Sequence, residues 1–415
     1  MVRAHTRHYE LRLTWFVFLV LGFVFLDRIA ITFLLPIAAP ELHLNNAAIG
    51  QIMMWMTLAF DASALCFGAL SDRSGRRKAW LVPFVLATSV FSGLSAVAAS
   101  FTSLLLIRLL NGAGEGPTYP LGAAMLMAES APERVGRNLG FAQSGVGLIG
   151  LALGPLLVTQ LAVHTNWRWA FLLASVPSFV LAFVLMRWTR EVRFAKASST
   201  TWDWRAYQEA LSYRNVWVCV FMSVCLMVAL WVMNIFAPLF LTQVDHLSEA
   251  QMGYVMSIMG LGAFFWGFLV PLISDYWGRK PTMILFSFVA VLPPLVMHSF
   301  HGDWVMLAVL GFFLNVVQGL FPLFMNIVLM ETVPERLAAT ASALSMSVGE
   351  MIGAAATPAV AGALADVYGL PIVMWIAAAG PFLAALVGFA MRESNLRKVK
   401  SRLPNGANVP AVESE

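Results

Sequence analysis

Six ionisable residues fall inside long apolar stretches of the chain: Asp27, Arg28, Asp61, Arg108, Glu115 and Glu350. A charge at mid-bilayer costs at least about 2.5–3.5 kcal/mol even on the mildest insertion scales, so such residues are functional candidates by default. Four acids against two bases would leave the interior negative if every group were ionised. At least one acid is therefore expected to hold a proton in some state. Burial favours the neutral carboxyl, whereas a nearby Arg favours the charged one. A carboxyl whose Arg partner is taken by an incoming anion should then gain a proton. The chemistry on offer is anion binding coupled to proton exchange.

The elements that must hold these residues follow from composition. Of 415 residues, 60% are hydrophobic and 12% charged, where an average soluble domain carries about a quarter charged. Mean hydropathy is +0.77. A soluble globular protein and a disordered one are both excluded. With three Cys (Cys66, Cys219 and Cys225, all in apolar runs), so is a disulfide-stapled secreted domain. Twelve runs are long enough to span a bilayer as helices. They lie at about 13–36, 48–70, 79–99, 101–126, 138–162 and 168–188, then about 215–241, 252–273, 281–299, 304–329, 338–363 and 371–391. The runs lack the alternation of a membrane β-barrel, and the first has no small-residue cleavage site of a signal peptide. Placing the N-terminus inside puts 23 of the 26 Lys and Arg residues in cytoplasmic loops and tails. Only Arg168 falls in an outer loop, which orients both termini to the cytoplasm. The pI near 9.1 is explained without a nucleic-acid partner. At 1.5 Å per residue, Arg28, Asp61, Glu115 and Glu350 all lie about 18–22 Å into their spans, near mid-depth.

The chain repeats with a period of about 203 residues. Ser71-Asp72-x-x-Gly75-Arg76-Arg77 recurs as Ser274-Asp275-x-x-Gly278-Arg279-Lys280. Pro132-Glu133-Arg134 recurs as Pro334-Glu335-Arg336, and Ala47-x-x-Gly50-x-x-Met53 as Ala250-x-x-Gly253-x-x-Met256. Met186-Arg187 and Glu191 are echoed by Met391-Arg392-Glu393. The predicted organisation is an all-α polytopic membrane protein of twelve spans in two parallel six-helix repeats, the pattern of a rocking transporter. Its parts are an N-terminal segment 1–12, a bundle 13–188, a central loop 189–214, a second bundle 215–392 and a tail 393–415.

The loop Gly68-Ala69-Leu70-Ser71-Asp72-Arg73-Ser74-Gly75-Arg76-Arg77-Lys78 resembles the signature loop of the major facilitator superfamily. Its residue types make sense: Gly68 permits close helix approach, Asp72 can meet a helix N-terminus or an Arg, and Gly75 permits the turn. Asn111-Gly112 with Arg108, Gly150-x-x-x-Gly154-Pro155 and Trp167-Arg168-Trp169 also resemble this superfamily. The resemblance spans about 13–392. The residues that would gate the conformational change are Gly68, Asp72, Arg73, Gly75, Arg76, Asp275 and Arg279; the second copy departs at Pro271, where Gly68 would map.

Asp27-Arg28, with Arg108-x-x-Asn111-Gly112-x-Gly114-Glu115-Gly116-Pro117-x-Tyr119-Pro120, looks like the anion:cation symporter branch, which takes up sugar acids and aromatic acids with protons. The resemblance implies that Arg28 meets the substrate carboxylate and that Asp27 and Glu115 couple protons. Val146 stands where some sugar-acid members have Gln, which leaves room for a more apolar substrate. Arg108, nearer the outer surface, reads as structural.

Asp61 and Glu350 are expected either to share a proton across the domain interface, to sit in separately hydrated positions, or to bind a cationic substrate. Tyr119, Gln143, Asn234, Asn315 and Gln318 are further polar candidates for the substrate site. No cofactor or metal pattern is present, and no enzyme motif stands where it would need to. The competing reading is a proton-driven exporter of cationic or hydrophobic drugs. Expected partners are a small organic anion, protons and the lipid bilayer of a cell membrane, the bacterial inner membrane by resemblance, with the protein a monomer.

Overall fold

The structure is a computed structural model; it describes residues 7–191 and 204–394, apart from the side chain of Asp72. The first six residues, the Ser198–Thr201 stretch of the central loop and the tail from 395 lie outside the described residues.

Continuous apolar runs leave backbone groups no partner but their own helix, and among the described residues the chain is helical throughout. Helices begin where a polar side chain can satisfy a free N–H. The Asn45 side chain accepts from Ala48 N at the start of α2 (Asn46–Ser74). Ser100 and Ser103 form a capping box at α4 (Phe101–Glu115), and Asn166 accepts from Trp169 N at α8 (Trp167–Trp188). Gly75 ends α2 in the left-handed region, φ 66°, with its N–H on Ser71 O.

Among the described residues ten helices are long and apolar enough to cross a membrane, and Ile372–Gly388 is a shorter apolar helix of 17 residues. The run expected at about 101–126 is interrupted. It forms α4 and then α5 (Thr118–Glu129), broken at Gly116-Pro117, because Pro117 has no N–H to continue the ladder. Residues 304–332 break likewise at Asn315–Val316, between α14 (Trp304–Leu314) and α15 (Val317–Pro322).

The described residues form two compact units: those within 1–200 with 238–261, and those within 201–237 with 262–415. In the first unit α1 (Arg7–Glu41) is central, with 83% of its most apolar stretch buried. It packs against α6 (Val135–Gly145), the π-helical segment Val146–Leu153, α7 (Gly154–His164) and α8. Leu13, Val17, Val20, Leu21 and Val24 of α1 form a core with Leu81 and Val85 of α3 (Arg77–Leu94), Leu121 and Met125 of α5, and Leu185. Helix α2 packs closely on α4. A Cβ at Gly112 would overlap the Met56 carbonyl, and one at Gly116 the Phe60 carbonyl. These two glycines, four residues apart, let the backbones touch. The segment 238–261 joins this unit because Gly253 and Gly260 seat directly on Thr159 and the Leu151 carbonyl.

The second unit is built around α10 (Arg214–Gln243), α12 (Arg279–Val289), α17 (Glu335–Val348), α18 (Thr357–Tyr368) and α19 (Ile372–Gly388). Gly349 and Gly353 pack against Ser223 and Met227 of α10. The repeat is visible in the backbone. The π-helical segments Val146–Leu153 and Gly349–Ala356 are offset by the period read from the sequence. It is visible in side chains too: Glu191 accepts from the N–H groups of Lys78 (3.0 Å) and Ala79 (3.0 Å). Glu393 accepts from Arg279 (2.8 Å) and Lys280 (3.2 Å). The shift has a cause: Pro281, at the position equivalent to Lys78, has no N–H to donate.

Candidate functional site

Asp27 and Arg28 are adjacent on α1, yet they serve different neighbours, because successive residues on a helix do not face the same way. Arg28, 3% exposed, turns to α2 and α4. Its Nη2 donates to Thr57 Oγ1 at 3.4 Å. Its guanidinium lies over the Phe60 ring, 4.3 Å from the centroid, and its Nη1 is 3.8 Å from Glu115 Oε1. That ion pair is longer than a hydrogen bond. Thr57, Phe60 and Asp61 follow the i, i+3, i+4 spacing, so they share one face of α2. The Gly112–Gly116 seam sets this geometry, since it fixes Glu115 of α4 against the part of α2 that carries Phe60 and Asp61.

Asp27 is fully buried and turns the other way. Ser178 of α8 donates to Asp27 Oδ2. The Asp27 backbone carbonyl accepts from Arg108 Nη1 at 3.0 Å and from Ser92 Oγ at 3.5 Å. Asp27 Oδ1 has no hydrogen-bond partner among the described residues. Arg108, also fully buried, donates to Ser95 Oγ at 2.7 Å and Asn111 Oδ1 at 3.4 Å and lies over Phe171 at 4.7 Å. Asn111 in turn donates to Thr88 O at 3.0 Å. Arg108 thereby ties α1, α4, the end of α3 and α8 together behind the Arg28 site.

The other expected residues are dispersed. Tyr119 lies past the break on α5 and is 43% exposed, so it does not continue the α4 face that carries Glu115. Gln143 is exposed on α6. Val146 packs against the apolar core of the first unit. In the second unit, the Asn234 side chain donates to Leu230 O of its own helix at 2.7 Å. Asn315 sits at the break between α14 and α15 with its N–H on Gly311 O, and Gln318 follows on α15. Glu350 is 6% exposed in the segment Gly349–Ala356.

In the signature loop, no atom among the described residues lies within 4 Å of where a Cβ at Gly68 would stand. Arg73 and Arg76 are exposed; the Asp72 side chain lies outside the described residues. In the second copy Arg279 is 2.6 Å from Asp275 Oδ1 and 2.8 Å from Glu331 Oε1. A further buried cluster joins α1 to the α5–α6 connection. Glu10, 3% exposed, accepts from Arg134 at 2.9 and 2.6 Å and from Asn138 at 2.7 Å. The Glu10 carboxylate holds the Arg134 guanidinium above its ordinary pKa by these bonds.

Thr57, Phe60, Ser92, Ser95 and Ser178 escaped the sequence reading. For Thr57 and Phe60 a signal existed, their helical spacing to Asp61. The serines carry none, since a lone Ser in an apolar helix has no pattern. Among the described residues no cluster of His, Cys, Asp or Glu could hold a metal ion.

A buried Arg facing carboxyls, set among membrane-length helices in two repeats, defines a solute transporter rather than an enzyme. The profile of the Major Facilitator Superfamily matches residues 17–349 and 246–413, and the chain belongs to that family. It is 29% identical over 379 residues to the probable 4-methylmuconolactone transporter of Cupriavidus pinatubonensis, covering 88% of this chain and 85% of that one. It is 28% identical over 372 residues to the 3-(3-hydroxy-phenyl)propionate transporter of Escherichia coli, covering 86% and 88%. It is 32% identical over 184 residues to the 4-hydroxybenzoate transporter PcaK of Pseudomonas putida, covering 44% and 40%. In fold it is similar to a bacterial homologue of the human lysosomal transporter Spinster. That structure superposes with a TM-score of 0.77 at 16% identity, over 97% of this chain and 100% of that one.

Proposed function

We propose that this protein takes up a small organic anion, an aromatic carboxylate or a sugar acid, together with protons, by alternating access. In this reading twelve spans form two parallel six-helix repeats, 13–188 and 215–392, with both termini in the cytoplasm of a bacterial inner membrane and the protein acting as a monomer. Its relatives that carry lactone, hydroxybenzoate and hydroxyphenylpropionate in their names support the substrate class. The observation that carries the reading is the Arg28 environment: a buried guanidinium supported by a neutral hydroxyl and an aromatic ring, with Glu115 at 3.8 Å.

A substrate carboxylate can take the fork of Arg28 with two short charge-assisted hydrogen bonds. Glu115 then loses its counter-charge and takes a proton. Asp27, with one oxygen unpartnered, offers a second proton position behind α1, linked to Arg28 through the backbone they share. Return of Glu115 to Arg28 expels the anion and releases the proton.

Purified protein in proteoliposomes loaded with a pH dye tests this. Acidification of the lumen on adding an aromatic or sugar carboxylate, lost in Arg28→Ala, is the expected result. Alkalinisation with drug-like cations alone would overturn it in favour of an exporter centred on Asp61 and Glu350.

A further inference from the structure

The Arg-rich helix ends of the first unit enclose a cavity that the transport reading leaves unused. It measures about 340 Å³ and is lined by Tyr9, Arg12 and Phe16 of α1 and by Arg187 and Trp188 of α8. Arg12 and Arg187 are exposed, and neither has a carboxylate partner among the described residues. A third guanidinium, Arg190, stands beside them over the Tyr9 ring at 5.0 Å, while its backbone N–H donates to the Tyr9 hydroxyl at 2.9 Å. The Phe16 and Trp188 rings meet edge to face at 6.4 Å, and Trp188 is 67% exposed. Below the cavity, Phe179, Val180, Phe183 and Met186 of α8 are each 41–52% exposed, a continuous apolar strip at helical spacing.

The chemistry of this wall is specific. Guanidinium groups with no acid partner among the described residues match the oxygens of a phosphate, which they bind in a planar fork. An exposed Trp at a helix end, with a Tyr beside it, sits at the depth of lipid headgroups. A soluble anion makes no use of the apolar strip; an acyl chain does. Basic pockets between membrane helices on this side are suited to anionic headgroups.

We propose that this cavity seats the phosphodiester headgroup of an anionic phospholipid. Arg12 and Arg187 hold the phosphate oxygens, Phe16 and Trp188 flank the glycerol, and the acyl chains run along the exposed strip of α8. The site is independent of the transport reading and stands or falls without it.

The test uses the full-length protein in mild detergent, with phosphatidylglycerol and phosphatidylcholine of equal chain length in competition and bound lipid read by native mass spectrometry. Phosphatidylglycerol should be retained in preference. Each basic residue near a charged headgroup is worth enough for about a fivefold change, so R12Q and R187Q should each weaken binding by about that factor. R12Q/R187Q should weaken it about 30-fold. R12K/R187K, which keeps the charge, should retain most of it, and R214Q/R392Q, which removes two exposed charges elsewhere, should change nothing. Equal retention of the two lipids would overturn the proposal. So would wild-type binding by the single and double Gln variants, or the same loss in R214Q/R392Q. Full displacement of lipid by glycerol phosphate at matched concentration would reassign the cavity to a soluble phosphate.

Discussion

Glu115→Gln isolates the coupling step, because it removes the competitor for Arg28 while keeping the size of the side chain. At 3.8 Å and an effective dielectric near 20, the attraction between the two charges is about 4 kcal/mol. A carboxylate that leaves Arg28 recovers other hydrogen bonds worth about 1.5–3 kcal/mol. The net penalty on substrate binding is then about 1–2.5 kcal/mol, or about one to two decades in affinity. The sign follows from the exchange. In the wild type, anion binding should weaken as pH rises, because Glu115 is then ionised and holds Arg28. In E115Q the penalty is gone, so binding should be tighter by one to two decades at alkaline pH and nearly independent of pH. Uptake driven by a proton gradient should fail while substrate counterflow continues. Titration of substrate against purified protein, from mildly acidic to mildly alkaline buffer, reads the first effect, and proteoliposome uptake against counterflow reads the second. An E115Q variant that keeps the wild-type pH dependence of binding would refute the exchange.

Arg28→Lys keeps the charge but loses the fork; it should cost substrate affinity at least tenfold, read in the same titration. Asp27→Asn should leave binding within a few-fold of wild type, because Asp27 faces Ser178 rather than Arg28, yet accumulation against a gradient should drop. Gly112→Ala forces a methyl into the Met56 carbonyl and should destabilise the first unit by about 1–3 kcal/mol, visible as a lower melting temperature in detergent. Arg134→Ala strands the buried Glu10 carboxylate and should melt below the E10Q/R134Q double variant, in which no charge is left unpaired.

What the sequence disclosed depended on whether the signal was periodic. Membrane helices announce themselves through continuous apolar runs, and the repeat through motifs spaced 203 apart, so both were legible. Helix breaks at Gly116-Pro117 and Asn315–Val316 lay inside apolar runs that hydropathy alone reads as whole. Pro117 carried the signal for the first; nothing in the residue types of Asn315 and Val316 announces the second. At the site, Arg28 and Glu115 lie 3.8 Å apart. Asp27 does not face them, because adjacency in sequence is divergence on a helix. Tyr119, four residues beyond Glu115, lies past the Pro117 break on α5, which a strict helical count ignores.

The repeat separates scaffold from chemistry. Features that recur at the period, the π-helical segments, the Glu191 and Glu393 caps and the Gly-Arg loops, are backbone-satisfying devices that both halves need in order to fold. Asp27, Arg28, Asp61, Arg108 and Glu115 map by the same period onto Leu230, Trp231, Phe264, Gly311 and Gln318. The second half therefore builds its helices with apolar, aromatic or neutral residues at all five positions. Arg108 ties four elements of the first unit together. For Arg28 and Glu115, the cost of a charge in a membrane, about 2.5–3.5 kcal/mol each at the least, is offset by function in the proposed mechanism. In the proposed uptake mechanism, the residues that recognise the carboxylate and exchange the proton therefore lie on the first repeat. It also makes a distinction that mutation can read: neutralising Asp27 or Glu115 should abolish coupling without lowering the melting temperature, whereas disrupting Glu191 or Glu393 should lower the melting temperature without altering the pH dependence of binding.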